Sequence, residues 1–143
     1  MDDARQLVAR STEVAHRQGA TSDSNRFMTE SVGLPASRAV IAFSEERYDD
    51  VLNELMPIRS TFNRFGGSHA QRDVLQRTIV EAAIRSGNAR LAGALLRERL
   101  SARGSSVYSW SRYAHVLLSS GDTGGAMSAE QQATLWRERF AAA

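Results

Sequence analysis

The chain contains neither cysteine nor lysine. Without cysteine it can form no disulfide and no thiolate metal site. Without lysine, all 18 basic side chains are arginines, so little titrates between the α-amino group and tyrosine and a small positive charge persists to high pH. A formal net charge of +2 is not a strong electrostatic field. Long hydrophobic runs are also missing, and none approaches the roughly 20 apolar residues that a membrane helix needs. The first ten residues, MDDARQLVAR, carry acid where a secretory signal carries base, and they lack its apolar segment. The expectation is a soluble cytoplasmic protein.

What is present is helical periodicity. The stretch Ser68 to Arg103, SHAQRDVLQRTIVEAAIRSGNARLAGALLRERLSAR, reads as two amphipathic helices joined at Ser86-Gly87-Asn88. In the first, Val74, Leu75, Thr78, Ile79, Ala82 and Ala83 fall at steps of three and four and make one stripe. Ser68 is placed to cap its start, and Gly87 to end it in the left-handed conformation. In the second, Leu91, Ala92, Leu95, Leu96 and Leu100 repeat the pattern. Ala92 and Ala94 are small enough to let two helices approach closely. The pair predicts an antiparallel helical hairpin.

The same pattern recurs. Ser86-Gly87-Asn88 followed by Ala92 returns as Ser120-Gly121-Asp122 followed by Ala126, an offset of 34 residues, which is the period of the tetratricopeptide repeat. Upstream, Glu46-Arg47-Tyr48-Asp49 with Val51 and Leu55 resembles a third copy. Its longer offset is absorbed by TFNRFGG, Thr61 to Gly67, expected as a loop. Asp2 to Gln18 is expected as a helix and Gly19 to Gly33 as a loop anchored by Phe27 and Met28. Pro35 suits the first turn of the next helix, and Pro57 ends or kinks the one after it. Val107, Trp110, Tyr113, Ala114, Leu117 and Leu118 are expected to face inward. Gly124-Gly125 weakens the start of the last helix, and a capping box at Ser128 offers a later start. Leu135, Trp136 and Phe140 form its apolar face.

Particular residues carry a family resemblance. ESVGLP (Glu30 to Pro35), Ala42-Phe43, Tyr48-Asp49, LMPIR (Leu55 to Arg59), LLRER (Leu95 to Arg99) and above all GGSHAQRD (Gly66 to Asp73) resemble the C-terminal part of the tetratricopeptide repeat protein 38 family. The likeness covers roughly residues 30 to 120. Glu46-Arg47 departs from the glycine usual at that turn. The resemblance implies a helical-repeat protein without established enzymatic activity or cofactor. Family members have further helices ahead of this region, so the chain is expected to be a portion of a longer repeat protein.

Candidate sites follow from residue types. His69 and Asp73 stand one helical turn apart with Ser68 adjacent, an arrangement open to nucleophilic chemistry. The alternative is structural: Gly66, Gly67, Ser68, His69, Gln71, Arg72 and Asp73 cap the helix and tie it to the preceding loop. His16, His69 and His115 lie in separate units without ligand spacing, so no metal is expected. Arg64 to Arg103 holds eight arginines against three acids, but they spread around two helices and stacking aromatics are scarce, which disfavours nucleic acid. The first helix of each stacked hairpin lines the concave side, placing Arg77, Glu81, Arg85, Tyr108, Ser111 and His115 as candidate peptide-groove residues.

The expected architecture is an all-α right-handed solenoid of tetratricopeptide-like hairpins. An N-terminal helix and loop occupy residues 1–34, and hairpins span 35–60, 68–103 and 105–141. The expected function is a protein-interaction scaffold, not an enzyme, holding an acidic peptide or protein partner. Uncovered apolar ends would favour homo-oligomers. The alternative is a small-molecule-binding or hydrolytic domain using His69 and Asp73.

Overall fold

A computed structural model describes residues 29–64 and 69–143. The described residues form α1 (Leu34–Ser44), α2 (Tyr48–Leu55), α3 (His69–Arg85), α4 (Ala89–Ala102), α5 (Val107–Ser119) and α6 (Thr123–Ala141). A π-helical turn, Thr29–Gly33, precedes α1, and a 3-10 helix, Arg59–Arg64, follows α2. The protein is all-helical: the described residues contain no strand. The expected helix Asp2 to Gln18, the anchors Phe27 and Met28, and Gly66, Gly67 and Ser68 lie outside the described residues. The chain forms two compact units, residues 1–82 and 83–143, the division falling within α3.

In the first unit, Pro35 stands in the first turn of α1, and Gly33 just before that helix is already in helical geometry (φ −62°, ψ −47°). The Ser37 hydroxyl donates to the Gly33 carbonyl at 2.9 Å, so helical winding begins before Leu34. Two expected loops are therefore partly helical, at Thr29–Gly33 and Arg59–Arg64. In the second, Phe62 is fully buried, and that burial gives a segment without helical periodicity a reason to coil. α1 and α2 pack together, with Phe43 and Tyr48 edge to face at 5.4 Å. Val51 and Leu55 are buried completely. α2 ends at Leu55: Met56 keeps helical geometry (φ −62°, ψ −42°) and donates its N–H to the Leu52 carbonyl at 3.0 Å, but Pro57 beyond it has no N–H to continue the ladder.

In the second unit, α4 packs on α5 and α5 on α6. α4 buries Ala92, Gly93, Leu95 and Leu96. Ala94, expected at a close crossing, is exposed, and Gly93 takes that role: a Cβ there would lie 3.8 Å from Val116 Cγ1. α5 buries Ser109, Ala114 and Val116, whereas Leu118 is 60% exposed. Position along the helix decides this, since Leu118 falls on a side that neither neighbour covers. α6 begins at Thr123, not Ser128, because the Asp122 carboxylate caps the Gly125 N–H at 2.8 Å. Its buried face is Ala126, Ala129 and Ala133. Small side chains let α5 and α6 approach closely, so the larger Met127 (66% exposed) and Phe140 (58%) point outward.

The three turns that join α1 to α2, α3 to α4 and α5 to α6 are built alike. Glu46, Gly87 and Gly121 take positive φ, 58°, 77° and 87°. The next N–H in each turn, of Arg47, Asn88 and Asp122, donates back to Ala42, Ala83 and Leu117 at 2.9 Å. This is a Schellman closure. The donor residue is at once the N-cap of the following helix, with ψ of 69°, 68° and 77°. Four residues on, Val51, Ala92 and Ala126 are all buried. Asn88 and Asp122 cap with their side chains, to Leu91 N–H at 3.1 Å and Gly125 N–H. Arg47 cannot accept, and bridges Glu45 at 2.7 Å and Asp50 instead. Those two carboxylates, Glu45 first, raise its pKa above the ordinary value.

Candidate functional site

The six groove candidates divide between the two units. Arg77 and Glu81 lie on the part of α3 in the first, and Arg85, Tyr108, Ser111 and His115 lie in the second. Arg77 is exposed, and its Nε donates to Asp73 Oδ2 at 2.7 Å, one turn back. Such a surface pair contributes only a few tenths of a kcal/mol. Glu81 is half-buried and Arg85 exposed at the end of α3.

On α5, Tyr108, Ser111 and His115 are spaced by three and four and share one side. Tyr108 and Ser111 are half-buried and His115 is exposed. The Arg99 guanidinium of α4 stands 5.8 Å from the Tyr108 ring centroid, a cation–π distance. Arg99 Nε also donates to the buried Ser109 hydroxyl at 3.4 Å. Ser109 and Ser106 hydroxyls lie 2.9 Å apart, and Ser106 caps the Ser109 N–H at 3.2 Å. A fixed arginine beside Tyr108 is therefore supplied by α4. Sequence periodicity does not find Arg99, because it belongs to the helix before the row. The signal available is the run Ser105-Ser106 ahead of Val107, which marks the helix start that holds Ser109 in place.

The structural-motif residues separate in the same way. His69 is exposed, and Arg72 Nη2 donates to its Nδ1 at 3.0 Å. Arg72 and Asp73 are half-buried, and Gln71 lies on the backbone of the first α3 turn. The Asp73 carboxylate meets Arg77. Among the described residues, no group of three or more histidine and carboxylate side chains converges as a metal site. No helix among those residues is long and apolar enough to cross a membrane.

Two recesses border α6. One, of about 480 Å³, opens between α5 and α6 beside Trp110, Tyr113 and Leu117 on one wall and Ser128, Gln131 and Gln132 on the other. A shallower one, of about 450 Å³, runs along the outer side of α6 past Met127 and Leu135. Comparison with known proteins adds no identity: no family model matches the chain, and no solved structure matches it significantly.

Proposed function

We propose that the chain is a helical-repeat interaction module, a right-handed stack of tetratricopeptide-like hairpins belonging to a longer cytoplasmic repeat protein. Its partner is an acidic peptide or the acidic surface of a protein. The observation that carries this reading is the threefold recurrence of one turn, with the same closure, the same shared cap and the same buried position four residues later. A recurring supersecondary unit is the mark of repeat architectures, whose extended surfaces bind partners. The resemblance of GGSHAQRD and its companions to the tetratricopeptide repeat protein 38 family supports it further. Acid is favoured because, within the second unit, the Arg99 guanidinium stands beside Tyr108.

The rival, a hydrolytic or small-molecule site at His69 and Asp73, has less support. A catalytic histidine needs a partner that orients it and a nucleophile it can reach. Here each of the two meets an arginine.

A fluorescently labelled acidic peptide tests the proposal by anisotropy. Micromolar binding that weakens with salt is expected, because exposed charges are screened. Tyr108→Ala, and the pair Arg77→Ala with Arg85→Ala, should weaken it about tenfold, the weight of an anchor residue at an interface. His69→Ala should leave both binding and thermal stability unchanged, since an exposed side chain contributes little. Absence of binding, or binding indifferent to salt, rejects the acidic partner. Loss of a hydrolytic activity in His69→Ala with binding unaltered in the arginine pair moves the function to the rival.

A further inference from the structure

The recess between α5 and α6 has walls of different chemistry from the Tyr108 row. Trp110, Tyr113 and Leu117 are spaced by three and four along α5, so they form one continuous stripe. The Trp110 indole N–H donates to the Gly104 carbonyl at 2.7 Å. Its one polar atom is thereby spent, the ring is held in place, and what it offers a ligand is a flat apolar face. On the opposite wall stand Ser128, Gln131 and Gln132. The Ser128 hydroxyl donates to Gly124 O at 3.1 Å and keeps its lone pairs free. The Gln131 and Gln132 amides and the Tyr113 hydroxyl carry no hydrogen bond among the described residues. Of the charged side chains, Asp122 alone borders the recess, and its carboxylate is committed to the Gly125 N–H at 2.8 Å.

A ligand here meets aromatic and aliphatic surface on one side, amide and hydroxyl groups on the other, and a single charge, the Asp122 carboxylate that caps α6. We propose that this recess binds an uncharged, proline-bearing peptide segment in the polyproline II conformation, a site separate from the acidic-ligand row. Three features select that ligand. A polyproline II strand makes no internal hydrogen bonds, so its carbonyls require donors, which two glutamine amides and a tyrosine hydroxyl provide. Its pyrrolidine rings stack on aromatic faces, the recognition used by aromatic-lined grooves generally. The repeat lengths also agree: Trp110 and Leu117 are seven residues apart along α5, or about 10.5 Å at 1.5 Å per residue. One polyproline II turn advances about 9.3 Å. Successive turns of the ligand then present a ring to Trp110 and another to Leu117, with Tyr113 between them.

The test uses the full chain carrying Trp136→Phe, which leaves Trp110 as its one tryptophan. The probe is a blocked, uncharged proline-rich peptide of about nine residues, three polyproline II turns. Covering the Trp110 face should shift its emission to shorter wavelength, saturably, with half-saturation at about 100 µM, the weak range of a short peptide contact. Tyr113→Ala should weaken binding about tenfold and Gln132→Ala about threefold, as expected for a buried anchor and a peripheral hydrogen bond. His115→Ala and Arg85→Ala should leave it unchanged, so failure of the acidic-partner reading is distinguishable from failure here. The proposal is overturned by no saturable shift at millimolar peptide. It is overturned equally by undiminished binding in a Tyr113→Ala protein with native helical circular dichroism. An equal response to a proline-free neutral peptide, or to a neutral oligosaccharide, also removes it.

Discussion

The Asp122 carboxylate lies directly over Gly125: Oδ1 accepts the Gly125 N–H at 2.8 Å, and a Cβ on that glycine would stand 2.8 Å from Asp122 Cγ. The glycine that looks like a helix breaker is the residue that makes room for the cap. Gly125→Ala should therefore lower stability by about 1–2 kcal/mol, the cost of losing a side-chain N-cap, although alanine is the better helix former. In an Asp122→Ala background the same substitution should stabilise, by about 1 kcal/mol. Urea denaturation of the four proteins in this cycle measures both; additive effects would mean that the carboxylate and the glycine are independent.

Glu46 occupies the position that Gly87 and Gly121 occupy in the other two turns, at φ 58°. A side chain at that φ costs about 1 kcal/mol or more, because Cβ crowds the following carbonyl. Glu46→Gly should raise stability by about 1 kcal/mol, while Gly87→Ala and Gly121→Ala should each lower it by a similar amount. A Cβ at either glycine would find nothing within 4 Å, so the effect isolates backbone conformation from packing. The sign difference in thermal midpoint between Glu46→Gly and Gly87→Ala is the check.

Adjacent small residues on α4 should respond in opposite directions. Gly93→Ala places a methyl at ordinary contact distance, 3.8 Å from Val116 Cγ1, and should stabilise by about 1 kcal/mol through helix propensity. Ala92 is fully buried, and Ala92→Leu should destabilise by about 1–3 kcal/mol through overpacking. Equal effects in chemical denaturation would contradict the packing of α4 described above.

The helices were legible where periodicity and turn chemistry agree. Ser86-Gly87-Asn88 and Ser120-Gly121-Asp122 mark their turns because glycine and an Asx cap are what a left-handed residue and a free N–H require. Glu46 carries no such mark, yet Tyr48, Val51 and Leu55 locate the same turn. The π turn at Thr29–Gly33 and the 3-10 helix at Arg59–Arg64 were not legible, since neither has an apolar stripe and both depend on tertiary burial such as that of Phe62. Burial on α5 and α6 was misread for a related reason. Large apolar residues suggest a core, but α6 meets α5 through alanines, which leaves Phe140 outside. The arginine beside Tyr108 was invisible because Arg99 reaches it from another helix. The separate engagements of His69 and Asp73 are likewise geometric: one-turn spacing brings arginines three and four residues on within the same reach.

Asn88 and Asp122 each belong to two helices at once. The Asn88 N–H closes α3 on Ala83 while its Oδ1 opens α4 at Leu91, and Asp122 does the same between Leu117 and Gly125. A helix end ordinarily frays alone, its last turn exchanging amide protons with solvent before the rest. Here the end of one helix cannot loosen without disturbing the start of the next. Fraying is thereby turned from a property of single helices into a paired event, and amides on the two sides of each turn should exchange at matched rates.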